Sequence, residues 1–489
     1  MHFDFDRFEF VGEAMVDEQA VVHASGSLDW QQLQQATDDW MRQAEAAGVL
    51  AGAPLLITGH KEPAFLIAML GCLMMKVPFV PVDVINPHER IARISSLLKT
   101  SLRYDAQLEC FEGVVNQDAR LEEEGVAYIM FTSGSTGDPK GVQIGRESVS
   151  LFAGWILHSL ALGERPVFMD QMLFSFDFSL FNWVGALVTG GACVLCSREI
   201  IARRDHFLAY LAHSRATVWA STPSFLRQQL IDPDFCQEKM PDLRVFLFGA
   251  ESLSVALVDE IWLRFPAARI INSYGPTEAT CSTTWVEVDK TLRDTLPNPF
   301  PIGRAKPYAT VFIDEGEICI AGDHVMRGYL NRSDLNQTRM FVRDGKRGYR
   351  TGDIGEMDSH GLVTFRGRMD DQIKFHGYRI ELAEIDLALS ALPSVRAGVA
   401  VALRRPEGTI VRLVGFVELR DTEEGNGTAL PECLANWREI LAMRLPPYMV
   451  PSELLACEQL SITVTDKVDR KQMEQLYKQT YLSQKSRNA

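Results

Sequence analysis

The segment Tyr128 to Val142 reads YIMFTSGSTGDPKGV and carries most of what the sequence says about the fold. An apolar run typical of a buried strand leads into a loop of small and hydroxyl-bearing residues with three glycines and a lysine. Such a loop brings backbone N–H groups close to phosphate oxygens. It is not a Walker A loop, because no GK[ST] follows at the spacing GxxxxGK. Taken alone, it is either a phosphate-binding loop or a solvated Gly/Ser loop. The candidate phosphate-binding residues are Thr132, Ser133, Gly134, Ser135, Thr136, Gly137 and Lys140.

Strand and helix patterns alternate on both sides of this loop. Pro54 to Thr58 is typical of a short buried strand, and Pro63 suits the first position of an apolar helix. This repeated alternation predicts an α/β fold with parallel sheets covered by helices. Further strand patterns are found at Val77 to Val82, Val126 to Phe131, Ala192 to Leu195, Thr217 to Ala220 and Val245 to Phe248.

The pattern changes near residue 300 and again near residue 369. Gly316 to Ile320 and Leu362 to Phe365 are typical of short strands separated by glycines, which predicts a small β-barrel unit. Apolar residues at helical spacing follow from Leu382 to Leu392, and strand patterns come after them. We therefore predict a large N-terminal domain over residues 1–369 and a smaller, mobile α+β domain over residues 370–489.

The composition is that of an acidic globular protein. Of 489 residues, 46% are hydrophobic and 23% charged, and the net charge of −15 disfavours general nucleic-acid binding. The most apolar stretch, Ala64 to Met75, is shorter than the roughly 20 residues of a membrane span, so no membrane insertion is expected. The acidic N-terminus lacks the order of a signal peptide, and nine scattered cysteines suggest reduced thiols, so we expect a cytoplasmic protein. Cys193 and Cys196 form a lone CxxC in an apolar run, which favours buried strand cysteines over zinc ligands.

The loop sequence FTSGSTGDPKGV resembles the phosphate-binding signature of the adenylate-forming superfamily. This superfamily contains acyl-CoA synthetases, luciferases and the adenylation domains of nonribosomal peptide synthetases. A series of further motifs resembles the family in the same order and spans almost the whole chain, so the resemblance is specific. These motifs are Gly249–Glu251 (GAE), Asn272–Thr280 (NSYGPTEAT), Tyr349–Asp353 (YRTGD), Gly367–Asp386 (GRMDDQIKFHGYRIELAEID) and Asp466–Lys471 (DKVDRK).

The resemblance implies ATP as a substrate, with Mg²⁺ bridging its phosphate oxygens. A carboxylate attacks the α-phosphorus and pyrophosphate leaves, so positioning and charge neutralisation are the main needs. By resemblance, Tyr274 offers a ring for adenine, Thr277 contacts the α-phosphate, and Glu278 holds the Mg²⁺. The other implied nucleotide-binding residues are Asn272, Gly275, and, at the ribose, Asp353 and Arg368.

The predicted C-terminal domain carries the mechanism that the resemblance implies. Lys467 matches the family lysine that bridges the substrate carboxylate and the ATP phosphate in a water-poor cleft. Asp466 precedes it where the family pattern has glycine, a departure that bears on the rate rather than on the reaction class. Asp370 matches the hinge about which the small domain rotates between two half-reactions, and Gly377 then lines a tunnel for a pantetheine arm.

The segment Phe174 to Phe181, FSFDFSLF, bears on the acid that is activated. Asp177 matches the family aspartate that meets a substrate α-amino group, a charge-assisted contact worth about 1.5–3 kcal/mol. This favours an amino acid over a fatty or aryl acid. Together with VWASTPSFL (Val218 to Leu226) and NSYGPTEAT, the segment resembles D-alanine–carrier protein ligases.

The chain departs from that group inside the pocket. Gly249 stands where the group has a cysteine, and Phe178 and Phe181 are bulkier than its aliphatic residues. Two phenylalanines would leave room for glycine only, as in the related glycine–carrier protein ligases of lipid A modification. Gly249, in contrast, would enlarge the pocket on another side and admit a larger substrate, and one methyl is worth only about 1–3 kcal/mol. The implied substrate-binding residues are Asp177, Phe178, Phe181, Gly249, Ala250 and Ser273.

The sequence therefore predicts an amino acid–carrier protein ligase that forms an aminoacyl-AMP. Glycine is the favoured substrate and D-alanine the next, and lipid A modification is the expected pathway. No phosphopantetheine attachment motif follows residue 471, so the carrier is expected to be a separate protein with a phosphopantetheine arm. The alternatives are an acyl-CoA synthetase for a small carboxylic acid and a catalytically inactive nucleotide-binding regulator.

Overall fold

The computed structural model describes residues 1–13, 18–134, 137–295, 299–405, 410–420, 430–457, 459–461 and 469–482. The chain divides into two compact units. The first comprises Met1–Val84, Ser95–Phe131 and Gly141–Met369, and the second comprises Ile85–Ile94, Thr132–Lys140 and Asp370–Ala489.

The largest sheet of the first unit has nine strands within the described residues. Its six central strands run parallel, and antiparallel strands close both edges. Because these central strands are buried along most of their length, they are nearly continuous apolar runs rather than alternating ones. In spatial order the strands are Arg304–Ala305, Thr284–Val288, Arg269–Tyr274, Val245–Phe248, Val218–Ser221, Val167–Asp170, Ala192–Leu195, Gln19–His23 and Gly26–Asp29.

A second sheet, seven-stranded in the described part of the chain, leads into the glycine-rich loop. Leu55–Gly59 pairs in parallel with two neighbours, and short antiparallel pairs lie at both ends. In spatial order the strands are Gly328–Tyr329, Lys140–Gly145, Val126–Thr132, Phe79–Asp83, Leu55–Gly59, Arg103–Asp105 and Cys110–Glu112.

Beyond residue 300 the first unit forms a small antiparallel β unit, as the glycine-separated strand patterns predict. Its strands are Thr310–Asp314, Glu317–Ala321, Met340–Arg343, Lys346–Met357 and Val363–Arg368. An N-terminal hairpin joins His2–Asp4 to Glu9–Val11.

Helices complete the first unit, and their ends follow local sequence rules. Trp30–Ala46 begins at a capping box in which Asp29 and Gln32 satisfy each other's backbone N–H groups. Pro63–Met74 carries its proline in the first turn and is apolar almost all round, because it is buried. The remaining helices are Arg146–Ser159, Leu180–Val188, Arg198–Ala202, Arg204–His213, Pro223–Gln229, Val255–Arg264, Lys290–Thr295 and Ser333–Arg339, while His88–Leu98 begins in the second unit and ends in the first.

The second unit is α+β. A hairpin of Gln372–Phe375 and Tyr378–Glu381 leads into the helix Leu382–Ser390, and apolar side chains of this helix pack in one core with the sheet that follows. The strands of that sheet are Val395–Arg404, Ile410–Leu419 and Glu453–Cys457. The second unit also contains the helices Leu430–Arg444 and Arg470–Leu476.

The predicted α/β class, with parallel sheets, is confirmed. The strand patterns at Ala192–Leu195 and Val245–Phe248 coincide with observed strands, and the bounds of the others differ by one to three residues. Cys193 and Cys196 are both fully buried, as predicted for strand cysteines.

Candidate active site

The glycine-rich loop belongs to the second unit, where its hydroxyl and ammonium groups contact the segment Arg379–Glu384. Ser133 Oγ donates to the carbonyl oxygen of Arg379 at 2.9 Å and accepts from the N–H of Glu381 at 3.0 Å. Lys140 Nζ donates to Glu381 Oε1 at 2.9 Å, and both side chains are about nine-tenths buried. A carboxylate therefore lies where the loop lysine would meet an anion.

The loop backbone makes the same kind of contact. The N–H of Gly134 donates to Glu384 Oε2 at 3.1 Å, while the other carboxylate oxygen of Glu384 accepts from Arg90 Nη1 at 2.5 Å. A Cβ on Gly134 would lie 1.9 Å from the carbonyl oxygen of Asp138, so only glycine fits this turn. Carboxylate and phosphate oxygens are equivalent acceptors for a backbone N–H, so Glu384 occupies an anion position of the loop.

Other predicted residues of the second unit are placed as follows. Thr132 Oγ1 is buried and has no hydrogen-bond partner among the described residues. Gly137 has a left-handed backbone with φ +86°, and Gly377, at φ +82°, forms the turn of the hairpin before Tyr378–Glu381. Asp370 Oδ1 accepts from the N–H of Gln372 at 3.3 Å. Ser135, Thr136, Asp466 and Lys467 lie outside the described residues.

In the first unit, three of the residues assigned to nucleoside binding meet at one carboxylate. Tyr274, the last residue of its strand, donates its hydroxyl to Asp353 Oδ2 at 2.5 Å, and Arg368 Nη1 donates to Asp353 Oδ1 at 2.5 Å. Burial, and then the neighbouring carboxylate, raise the pKa of Tyr274 well above its ordinary value, so the phenol keeps its proton. Asp353 and Arg368 are directly paired across adjacent strands.

The motif around Tyr274 is held by close backbone packing. Asn272 Nδ2 donates to the carbonyl oxygen of Pro301 at 2.8 Å. A Cβ on Gly275 would lie 2.7 Å from the Cα of Ser282, so glycine lets two backbone segments approach each other. Thr277 and Glu278 then form a short 3-10 turn, Thr277–Ala279.

Glu278 is fully buried and is oriented by tyrosine hydroxyls. Tyr329 donates to Glu278 Oε1 at 2.5 Å, and its hydroxyl lies 3.0 Å from that of Tyr349. The described residues contain no cluster of three or more His, Cys, Asp or Glu that could hold a metal. One buried carboxylate suits Mg²⁺ that keeps phosphate oxygens and water as its remaining ligands, which is how Mg²⁺ usually accompanies a nucleotide. The residues present therefore fit a nucleotide-borne Mg²⁺.

The predicted amino-acid pocket is built around two phenylalanine rings. The centroids of Phe178 and Phe181 are 4.9 Å apart, and both rings are buried. A Cβ on Gly249 would lie 2.5 Å from Cε2 of Phe178 and 3.1 Å from the carbonyl oxygen of Ser273. The space that Gly249 opens is thus filled by the ring of Phe178.

The remaining pocket residues lie at loop starts and strand ends. Asp177 begins the turn Asp177–Ser179 and is 7% exposed. Burial, and then the charge of Asp177, raise the pKa of Tyr128 well above its ordinary value. Ala250 has φ +65°, an uncommon backbone for a residue with a Cβ, of the kind that clusters at functional sites.

Three residues at these sites were not singled out from the sequence. Glu381 and Glu384 lie inside the quoted motif GYRIELAEID, so the motif contained the signal, but only folding shows that they meet the loop. Tyr329 had no sequence signal, since it lies in a short edge strand.

Comparison with known proteins agrees with the fold. The family model described as "AMP-binding enzyme" matches residues 96–330. The D-alanine–D-alanyl carrier protein ligase of Bacillus velezensis is 34% identical over 452 residues, covering 86% of this chain and 88% of the relative. The adenylation domain AlmE of Vibrio cholerae, solved with glycyl-adenosine-5'-phosphate, has a TM-score of 0.76 at 22% identity and covers 95% of each chain. The nonribosomal peptide synthetase protein PA1221, with adenylation and PCP domains, also has a TM-score of 0.76, at 24% identity over 94% of this chain and 81% of that one.

The fold is therefore that of the adenylate-forming enzymes. The chain belongs to the AMP-binding enzyme family, and its relatives there include D-alanine–D-alanyl carrier protein ligases. Within the residues that the structure covers, no helix is both long and apolar enough to cross a membrane.

Proposed function

We propose that the chain is an ATP-dependent ligase that converts a small amino acid to its aminoacyl-AMP. The acyl group then passes to the phosphopantetheine thiol of a separate carrier protein. Glycine is the favoured substrate and D-alanine the next, and cell-envelope (lipid A) modification is the pathway that the sequence resemblance implies. The observation that carries the substrate proposal is the ring of Phe178 beside Gly249, which fills the space that a side chain at Gly249 would need.

The roles of the residues follow from the chemistry of carboxylate activation. Asp177 holds the substrate ammonium, Tyr274 contacts the adenine, and Asp353 with Arg368 binds the ribose. Thr277 and Lys140 contact phosphate, and Lys467 bridges the attacking carboxylate and the α-phosphate, where negative charge gathers. Glu278 holds Mg²⁺, which supplies charge neutralisation on the phosphate oxygens.

Binding of ATP requires the loop to release its carboxylates. The Lys140 ammonium and the Gly134 N–H donate to the carboxylates of Glu381 and Glu384. These two donors are the groups that we propose for binding phosphate. Residues 1–369 and 370–489 form the two moving domains, with Asp370 as the hinge. After adenylation, rotation of the smaller domain moves Lys467 out of the active site and brings Gly377 to the pantetheine tunnel. One active site thus serves both half-reactions.

Amino-acid-dependent pyrophosphate release tests this function directly. Purified protein with Mg-ATP and hydroxylamine is assayed with glycine, D-alanine, L-alanine, D-serine, β-alanine and a short fatty acid. Glycine ahead of D-alanine supports the filled pocket, and D-alanine ahead rejects the glycine preference while keeping the ligase. ATP binding without pyrophosphate release from any acid would leave the inactive-regulator alternative.

The second half-reaction shows whether the thiol acceptor is a carrier protein or coenzyme A. Holo-carrier protein and CoA are offered as competing thiol acceptors. Transfer to the carrier supports the proposal, and transfer to CoA alone identifies an acyl-CoA synthetase. Lys467→Ala is the internal control, because loss of one charge-stabilising donor lowers adenylation about 10²- to 10³-fold. Transfer from aminoacyl-AMP added from outside should survive in this variant.

A further inference from the structure

Lys306 follows the strand Arg304–Ala305 in the first unit and is 1% exposed. Among the described residues, its ammonium nitrogen has no hydrogen-bond partner. Instead it lies against aromatic rings, 3.3 Å from the centroid of Trp155, 4.7 Å from that of Phe152 and 5.7 Å from that of Phe181. Lys306 is therefore a buried amine in an aromatic cage rather than half of an ion pair.

A buried amine without a hydrogen bond is an unfavourable arrangement. Burial lowers the pKa of Lys306 well below its ordinary value, and only the thiol of Cys281 acts in the opposite direction. Cation–π contacts with several rings offset part of the desolvation. Buried polar groups without partners are few in native proteins, and each of them calls for an explanation.

The cage is continuous with the amino-acid pocket. Phe181 contacts Phe152 with ring centroids 5.1 Å apart, Trp155 at 5.9 Å and Phe178 at 4.9 Å. Phe178 in turn fills the space beside Gly249. An unbroken row of side chains thus runs from Lys306 through Phe181 to the pocket wall.

We propose that Lys306 is a positioning residue for substrate size, because its amine holds the rings of Trp155 and Phe181 and thereby keeps Phe178 against Gly249. This proposal rests on the proposed function for its substrates. Replacing the amine frees Phe181 to move toward the vacated cage, and Phe178 follows it. The pocket then gains the volume of a methyl group, which is the difference between glycine and alanine.

Lys306→Met tests the proposal, because methionine has a similar length and no charge. We expect the ratio of kcat/KM for glycine to that for D-alanine to fall at least tenfold, mainly through a lower KM for D-alanine. A purely structural role would scale both substrates equally, because each sees the same amount of folded enzyme. An unchanged ratio would overturn the proposal. Should this variant not fold, Lys306→Gln replaces it in the same assay.

Arg146→Met is the matched control. Its guanidinium lies 3.7 Å from the ring centroid of Phe8, so the substitution removes a cation over an aromatic ring outside the row from Lys306 to Phe178. We expect it to leave the substrate ratio unchanged. We also expect the Tm of Lys306→Met to rise or stay level, because an unpartnered buried amine has been removed.

A crystal structure of Lys306→Met gives a result that does not depend on any substrate. A Phe178 ring shifted away from Gly249 supports the inference, and an unchanged ring overturns it even if the enzyme is fully active. If the wild type activates no small amino acid, the proposed function fails, while the ring positions still decide whether Lys306 holds the aromatic row.

Discussion

The ring of Phe178 occupies the space into which a side chain at Gly249 would project, with Cε2 only 2.5 Å from the position of an added Cβ. From the sequence alone, these two residues predict opposite substrate sizes, since phenylalanine narrows a pocket and glycine widens it. In the structure they are complementary, because the absence of a side chain at Gly249 is what admits the ring. These two departures from the alanine-ligase pattern, out of the three in the pocket, therefore form one packing arrangement.

This relationship predicts the effect of Phe178→Leu. The smaller side chain leaves a space beside Gly249, and we expect kcat/KM for D-alanine to rise about tenfold relative to glycine, since a methyl group is worth about 1–3 kcal/mol. Amino-acid-dependent pyrophosphate release measures the ratio. Gly249→Cys alone should lower activity by forcing the ring aside, whereas the double variant Phe178→Leu/Gly249→Cys should recover it. Additive effects in the double variant would contradict the packing argument.

Glu381→Gln is expected to tighten ATP binding. The ammonium of Lys140 is paired with this carboxylate at 2.9 Å, so phosphate must displace it. Glutamine keeps a hydrogen-bond acceptor but removes the competing charge, and we expect the Kd of ATP to fall about three- to tenfold, equivalent to about 1 kcal/mol. Isothermal titration without amino acid measures it. The control Glu9→Gln removes an exposed pair with Arg7 and should change nothing. Weaker ATP binding by Glu381→Gln would show that the pair does not compete with phosphate.

Asp353→Asn is expected to impair use of ATP. Asp353 accepts from both Tyr274 and Arg368, so the amide loses the charge that pairs with the guanidinium as well as the proposed ribose acceptor. We expect kcat/KM for ATP to fall about 10²-fold, or about 2.7 kcal/mol, with little change in KM for the amino acid. Glu356→Gln, on the same strand but solvent-facing, provides the comparison, and we expect it to behave as wild type. Equal losses for the two variants would point to general destabilisation of the strand.

The buried imidazole of His324 is expected to make the stability of the protein depend on pH. Burial, and then the charge of Lys306, lower the pKa of this fully buried imidazole to about 3 from 6.5. Between these values the unfolded chain binds a proton that the folded chain does not, so stability falls as the pH drops below 6.5. The expected contribution is about 2 kcal/mol between pH 7 and pH 5, approaching about 1.4 kcal/mol per pH unit.

Urea unfolding of wild type and His324→Gln at pH 7 and pH 5 measures this contribution. The wild type should lose more stability than the variant over this interval, by about 2 kcal/mol. Parallel losses in both proteins would mean that His324 takes up its proton without unfolding. The comparison within each protein cancels any constant cost of the substitution itself.

Much of the fold is predictable because it depends on local pattern. The buried strands Ala192–Leu195 and Val245–Phe248 are apolar runs bounded by turn residues. Pro63 predicts the start of the helix Pro63–Met74. The ordered motifs likewise identify the family, since each one is a contiguous run of residues. The family resemblance also assigns Tyr274, Asp353 and Arg368 to nucleoside binding, although these residues are far apart along the chain.

Partnerships across the chain required the folded structure. No pattern in the sequence shows that Glu381 pairs with Lys140, that Tyr329 holds Glu278, or that Phe178 lies against Gly249. Lys306 is the clearest case, because a lysine in a loop is normally solvated, and only tertiary packing removes this one from water. Hydrophobic period and motif order are properties of neighbouring residues, whereas the charge, space and hydrogen bonds of a site depend on segments that meet only when the chain folds.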